Sequence, residues 1–222
     1  MIQSHRTGPS DNSAILSSHE RILEAAKRMF AANGYENTST VAIARAAGSS
    51  ESQLMKHFGS KEGLLEAIFQ RGWAKMAQSL PEAHNVGSCV EKLQKLFSII
   101  IDSLEKDEEL QLLMLLEGRR IRKGGRMVLL TQGYMKTVRL VDSILAEMRS
   151  TRQLHSGVKP QCVRSALIGI FEGLLRDHLL ALRSGFPADY SAADIRKTFN
   201  FVLAAFCVPR TKVPERKSKR KR

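Results

Sequence analysis

The sequence predicts an all-α protein of about nine helices, a small three-helix unit at the N-terminus followed by a larger helical domain. Three observations carry this. From Leu64 to Phe206 apolar residues recur at three- and four-residue steps, the spacing of one helix face. The same stretch holds no sustained strand alternation and no Asn-Gly or Asp-Gly hairpin signal. Ahead of it, three short helical segments are punctuated by Asn33-Gly34, Gly48 and Gly59-Ser60.

The first helix opens at Ser17. Its spacing to Glu20 is that of a capping box, in which each side chain satisfies a backbone donor of the first turn. Ile22, Ala25, Ala26, Met29 and Phe30 form the apolar face, while Arg21, Glu24, Lys27 and Arg28 fall mostly opposite. Asn33-Gly34 ends the helix. The second helix is short and is capped by Thr38, Ser39 or Thr40. Ile43, Ala44 and Ala47 face inward, and Gly48 closes it. The third restarts at Ser50, with Gln53 again at capping-box spacing. Leu54 and Phe58, four apart, are expected to pack inward. That leaves Glu51, Ser52, Met55, Lys56 and His57 at or near the outer face. A fourth helix begins Lys61-Glu62-Gly63-Leu64-Leu65 and is expected to reach Leu80, stopping at Pro81.

Three short helices with a small-residue turn between the second and third form a helix-turn-helix, which presents its last helix to the major groove of DNA. The order of residues closely resembles the DNA-binding region of the TetR family of bacterial transcriptional regulators. The matching pieces are Ala25-Ala26 with Phe30, Gly34-Tyr35 followed by Thr38, Ile43-Ala44, Ala46-Ala47-Gly48, Leu54, His57-Phe58, and Ser60-Lys61-Glu62 with Leu64-Leu65. The resemblance is strong over residues 18–68. It implies a DNA-binding domain over residues 17–62 and an effector-binding and dimerisation domain over residues 63–208.

The resemblance also implies roles. Thr38, Ser39 and Thr40 match positions that contact phosphates at the second helix. Gln53, Lys56 and His57 lie on the matching recognition helix, and Lys61 matches a phosphate-contacting lysine. Ser50, Glu51 and Ser52, at the start of the recognition helix, complete the candidate DNA contacts. Hydroxyls, Lys and helix N-termini are good phosphate partners on chemical grounds alone, and Gln pairs bidentately with adenine. Several positions depart from the family. Glu51 stands where Lys or Arg is frequent, Ser52 where Gly or Ala is common, and Met55 where a Tyr often contacts DNA. Val41 and Ala42 hold positions that are usually polar. Glu51 has two readings, an acceptor for cytosine N4 or a first-turn acid favoured by the helix dipole. Gln53 is less free to read a base if it closes the capping box.

A chain of 222 residues is long enough for a sizeable core. No apolar run approaches a membrane span and no basic-then-apolar leader opens the chain, so a cytoplasmic, nucleoid-associated protein is expected. Cys89, Cys162 and Cys207 have neither zinc-ligand nor Cys-x-x-Cys spacing, and the six histidines are scattered, so neither metal nor cofactor is expected. The net charge of +13 is unevenly placed. Residues 209–222 hold eight basic residues and one acid, whereas residues 1–60 hold six and five. The C-terminal stretch therefore reads as a basic, disordered tail, either a solubilising segment or a source of salt-dependent, sequence-independent DNA affinity. Residues 1–16, with Gly8-Pro9-Ser10-Asp11-Asn12, read as a disordered arm.

In the larger domain a fifth helix covers Ser88 to Leu104, with Val90, Leu93, Leu96, Phe97, Ile100, Ile101 and Leu104 on one stripe. A sixth runs from Glu108 to Gly118. Its Leu112, Leu113, Met114, Leu115 and Leu116 are apolar nearly all round, so it is expected to be buried. The basic stretch Arg119 to Lys123 follows. A seventh helix spans Arg126 to Arg149, an eighth Gln161 to Arg183, and a ninth runs from its cap, Ser191, to Phe206. Phe97, Ile101, Met114, Tyr134 and Phe171 are candidate pocket residues. Trp73, the single tryptophan, falls on the fourth helix.

In the resembling family the last two long helices pair with their copies as a four-helix bundle. Ala166, Gly169, Ile170, Gly173 and Leu174 would permit close approach, and Phe199, Val202, Leu203 and Phe206 would supply bulk. An isologous interface is the geometric counterpart of a palindromic operator. The resulting expectation is a homodimeric repressor, bound to double-stranded operator DNA and released by a small, largely apolar effector. The alternative is a DNA-bound adaptor whose larger domain holds a protein partner. With no phosphate-binding Gly loop, metal cluster or nucleophile motif, an enzyme is not expected.

Overall fold

The computed structural model describes residues 16–84, 86–118 and 131–208, and these form ten α-helices. They are α1 (Ser18–Asn33), α2 (Thr40–Ala46), α3 (Glu51–Phe58), α4 (Lys61–Ala77), α5 (Leu80–His84), α6 (Cys89–Glu105), α7 (Glu108–Leu116), α8 (Gln132–Ser150), α9 (Pro160–Ser184) and α10 (Ala192–Ala205). Among the described residues the only extended pairing is one isolated antiparallel bridge, Leu154 to Cys207. By packing the chain divides into two compact units, one ending at Ile68 and the other beginning at Phe69.

The extra helix arises at Pro81. The fourth helix does not reach Leu80 but ends at Ala77, and a separate short helix restarts at Leu80 with Pro81 in its first turn. Proline is tolerated there because first-turn amides have no intrahelical acceptor to lose. The helix expected from Arg126 instead begins at Gln132, capped by the Thr131 side chain, and its expected first residues lie outside the described ones. The basic stretch Arg119 to Lys123, residues 1–15 of the N-terminal arm and the basic tail also lie outside them.

In the first unit Ile22, Leu23, Ala25, Ala26 and Phe30 of α1 are buried with Ile43, Ala44 and Ala47, with Leu54 of α3, and with Leu64, Leu65 and Ile68 of α4. The Ser17–Glu20 capping box closes reciprocally at the start of α1. Gly59 at the end of α3 has φ 72°, a left-handed conformation that costs a side-chain-bearing residue and that lets α4 start within two residues.

In the second unit one side of α6 supplies Leu93, Leu96, Phe97, Ile100, Ile101 and Leu104 to the core. Two helices pack through four-residue ladders: Val163, Leu167, Phe171, Leu175 and Leu179 on α9, and Ile195, Phe199 and Leu203 on α10. Helix α7 departs from expectation. It buries Leu110, Gln111 and Leu113 but leaves Leu116 40% exposed, so it is a one-sided helix and not an enclosed one. Arg196 ties α10 to α6 through Asp102 and Glu105, at 2.5 and 3.0 Å. No described helix is long and apolar enough to cross a membrane.

Candidate nucleic-acid interface and apolar cavity

In the first unit, α2 and α3 form the outer pair of the helix-turn-helix. Ser39 caps α2, accepting from the Ala42 amide, and Ser50 caps α3, accepting from the Gln53 amide. Arg21 of α1 donates to the Ala47 carbonyl at 3.1 Å, holding the end of α2. Leu54 is fully buried, so α3 is rotationally fixed, with Glu51, Ser52, Met55 and Lys56 exposed. The structure therefore brings these side chains together on one face.

Several of the candidate polar contacts are already engaged within the chain. The Thr40 hydroxyl donates to Glu51 Oε1 at 2.5 Å. Ser49 Oγ donates to Gln53 Oε1 at 2.6 Å, so the Gln53 side chain does not return to Ser50 and only half of the expected capping box forms. His57 Nε2 shares a hydrogen bond of 3.1 Å with Ser18 Oγ at the start of α1. Lys61 Nζ lies 4.4 Å from the centre of the Tyr35 ring and donates to the Glu36 carbonyl. Ser52 and Lys56 make no hydrogen bond or ion pair among the described residues and are exposed on α3.

Thr38 requires a correction. It is 2% exposed, and its hydroxyl lies 2.8 Å from the Gly34 carbonyl and 3.2 Å from that of Met29. A hydroxyl spent on the end of α1 and shut away from solvent is not offered to a phosphate. Its place is structural: the hydroxyl lies against the Gly34 and Met29 carbonyls and ties the chain ahead of α2 to the end of α1.

The second unit contains an apolar cavity of about 90 Å³. Its wall takes Phe69, Trp73 and Met76 from α4, Phe97, Ile100 and Leu104 from α6, and Met114 and Leu115 from α7. Tyr134, Val138 and Val141 of α8 and Ile168, Phe171 and Leu175 of α9 complete it, with Thr131, Thr137 and Glu172 as the polar lining. Four of the five residues expected from sequence are therefore present. Ile101 is not among them. One step of about 100° along the helix separates it from Ile100, and it lines a second cleft with Gln94, Lys95, Arg196 and Asn200. Phe97 borders both spaces and packs on Phe199 and Phe171, with ring centres 4.1 and 5.0 Å away. The α4 contribution was missed, although Phe69, Trp73 and Met76 recur at four- and three-residue steps.

The candidate self-association face divides. Gly169 is exposed, and Ala166, Ile170, Gly173 and Leu174 are half-buried, leaving a small-residue strip open along α9. Val202 and Phe206 are also half-buried. Phe199 and Leu203 are corrections: at 2% and 0% exposure they belong to the ladder that α10 packs inward. The bulk on the outer face is Phe201, 78% exposed, with Leu182 of α9 at 73%.

Residues 22–68 match the family described as bacterial regulatory proteins, tetR family. The chain is 37% identical over 67 residues to the HTH-type transcriptional repressor AcnR of Corynebacterium efficiens, covering 30% of this chain and 36% of that one. It thus spans about a third of the length of the curated repressors that it matches at this level. It is also 24% identical over 155 residues to the fatty acid metabolism regulator protein of Bacillus subtilis, covering 68% of this chain and 78% of that one. In fold it is similar to the transcriptional regulator FadR from Bacillus subtilis in complex with stearoyl-CoA. The TM-score is 0.70 at 20% identity, over 84% of this chain and 98% of that one. The fatty acid degradation regulator FadR from Bacillus halodurans gives 0.71 at 20% identity, over 84% and 97%.

Proposed function

We propose that the chain is a TetR-family regulator, as the match of residues 22–68 to that family supports, and that it acts as a homodimeric repressor, released from a palindromic operator by a small, largely apolar effector. Residues 17–62 are assigned to DNA reading and residues 63–208 to effector binding and self-association. The observation that carries this is the pairing, in one chain, of an exposed helix-turn-helix face with a walled apolar cavity that a DNA reader does not need. Lys56, Ser52, Ser39, Ser50 and the α3 N-terminus supply phosphate and groove contacts. His57, Gln53 and Lys61 join by exchanging internal partners for DNA, while Thr40 and Glu51 keep their mutual bond and set the contact surface from the starts of α2 and α3.

The cavity suits a lipophilic body, since most of its wall is hydrocarbon and aromatic ring. That the fold-neighbour FadR from Bacillus subtilis holds stearoyl-CoA makes acyl compounds the first effectors to try, a long chain having to widen the cavity of about 90 Å³ as it enters. An effector shifts the protein off DNA only by preferring the arrangement that does not bind DNA. Helix α4 offers a physical route, because the helix that lines the cavity with Phe69, Trp73 and Met76 begins at Lys61, a candidate phosphate contact. Phe201 and Leu182, 78% and 73% exposed, are the large apolar groups that pairing of α9 and α10 with a second copy would cover.

The test is a titration of the chain against the intergenic fragment upstream of its own gene, with a scrambled fragment as control, at low and physiological salt. The full chain is compared with one ending at Val208. Preference for the native fragment in both forms, abolished by an apolar effector, is the expected outcome. Equal binding to both fragments that disappears with salt or with the tail would overturn operator reading. Selective binding that no small molecule relieves would favour the adaptor, with its larger unit holding a protein.

A further inference from the structure

The exposed face of the helix-turn-helix carries two large apolar side chains. Val41, the second residue of α2, is 50% exposed, and Met55 of α3 is 43% exposed. Both stand on helices whose inward faces are already supplied by Ile43, Ala44 and Leu54. They are therefore not overflow from the core. Their placement is linked: Thr40, adjacent to Val41, donates to Glu51, which lies one turn before Met55 on the same face of α3.

The neighbouring polar groups are poorly placed to read base edges unaided. Glu51 accepts from Thr40, and the Gln53 side-chain oxygen accepts from Ser49. Bidentate pairing of Gln with adenine uses both ends of the amide, and one end is occupied. The side chains of α3 left unengaged are Ser52, Lys56 and Met55. Lys56 suits phosphate. Met55 and Val41 suit the one apolar group on the floor of the major groove, the C5-methyl of thymine.

We propose that Val41 and Met55 read thymine methyl groups, so that part of the operator's specificity is carried by hydrocarbon contact and not by hydrogen bonds. This rests on the assignment of α2 and α3 to DNA. The flexible thioether of Met55 adapts to a methyl at more than one depth, whereas the stiff Val41 tests a single position. Deoxyuridine keeps thymine's hydrogen-bonding edge and lacks only the methyl, which makes it the diagnostic base.

The experiment selects preferred duplexes from a random library with the full chain, then replaces each thymine of the winner by deoxyuridine and measures Kd. The expected result is a loss of about fourfold per contacted methyl, the effect of burying one methylene-sized group. In Met55→Ala or Val41→Ala the same deoxyuridine step has little further effect, because the partner is already gone. Both residues are exposed, so the variants keep their fold, and circular dichroism verifies this. Uniform tolerance of deoxyuridine by a chain that selects a sequence overturns the methyl reading alone. A deoxyuridine penalty that survives in both variants overturns the assignment to these residues. Failure to select any duplex overturns DNA reading and this proposal with it.

Discussion

The Thr40 hydroxyl donates to the Glu51 carboxylate at 2.5 Å, joining the first residue of α2 to the first of α3. The acid that stands where the resembling family often has a cation thus braces the two helices that frame the proposed DNA-facing surface. Its place in the first turn of α3 also suits the helix dipole.

A brace and a base reader behave differently when removed. Thr40→Val and Glu51→Gln are each expected to weaken operator binding by a similar factor, with the double variant no worse than either single one. The base preference in a selection experiment stays unchanged. Stability falls by less than about 1 kcal/mol, as for a solvent-accessible hydrogen bond. A Glu51→Gln chain that selects a different base would make Glu51 a reader.

Thr38 separates structural from contact roles. Thr38→Val keeps the shape but removes the donor to the Gly34 and Met29 carbonyls. A loss of about 1 kcal/mol is expected in urea denaturation, from one buried hydrogen bond removed. Operator affinity per folded molecule, measured well below the melting transition, should not change.

Gly133 is present for its lack of a side chain. A Cβ built there would lie 2.2 Å from Trp73 Cβ, closer than two carbon atoms can approach. Gly133→Ala is expected to cost about 1–3 kcal/mol through overpacking. Because the chain has a single tryptophan and Trp73 lines the cavity beside Tyr134, its emission reports the displacement directly. An unshifted spectrum with full stability would show that α4 and α8 separate freely.

Helix α10 presents two apolar faces with opposite predicted phenotypes. Leu203→Ala empties a fully buried site and should destabilise the folded subunit by about 2–5 kcal/mol. Phe201→Ala removes a ring that is 78% exposed, so the subunit keeps its stability while self-association weakens. Sedimentation velocity over a concentration series, read beside denaturation midpoints, distinguishes them. A Phe201→Ala chain that associates as tightly as the parent would place the interface elsewhere.

The cysteines should react in a fixed order. Burial pushes the Cys89 thiol above its ordinary value, and a hydrogen bond to Glu147 and that carboxylate's charge push the same way. Burial alone raises Cys207. Cys162 is exposed at the start of α9. Since the thiolate is the nucleophile, a raised thiol holds less of it at any given pH. Timed iodoacetamide labelling of the native chain, read by mass spectrometry, should modify Cys162 first and Cys89 last. Equal rates would mean that the α6 N-terminus opens readily.

Much of this was legible from side-chain spacing. The Ser17–Glu20 cap, the inward Leu54 and the small-residue strip through Gly169 and Gly173 follow from local rules that hold whatever lies next door. What spacing does not carry is the identity of a neighbour. Thr38 reads as a surface hydroxyl until the turn after α1 brings two carbonyls onto it. Ile100 and Ile101 are adjacent on a broad stripe, and only the packing of α7 and α10 sends one to the cavity and the other to the second cleft. Phe199 and Phe201 are equal in bulk. The four-residue ladder Ile195, Phe199, Leu203 decides which one enters the core, and the ladder is visible in sequence only once α9 is known to face it.

The bridge between Leu154 and Cys207 has a mechanical consequence. With it, His155 donates its amide to Phe206 and Val208 donates to Gln153, so the chain before α9 and the chain after α10 are pinned together. The hairpin of α9 and α10 is thereby a closed ring, and its C-terminal helix has no loose end from which to fray. Its amide protons should exchange together, as one cooperative opening, in place of the graded exchange of a terminal helix. A face that unfolds only as a whole keeps its two helices in register, which an isologous contact requires, since the same surface is used twice.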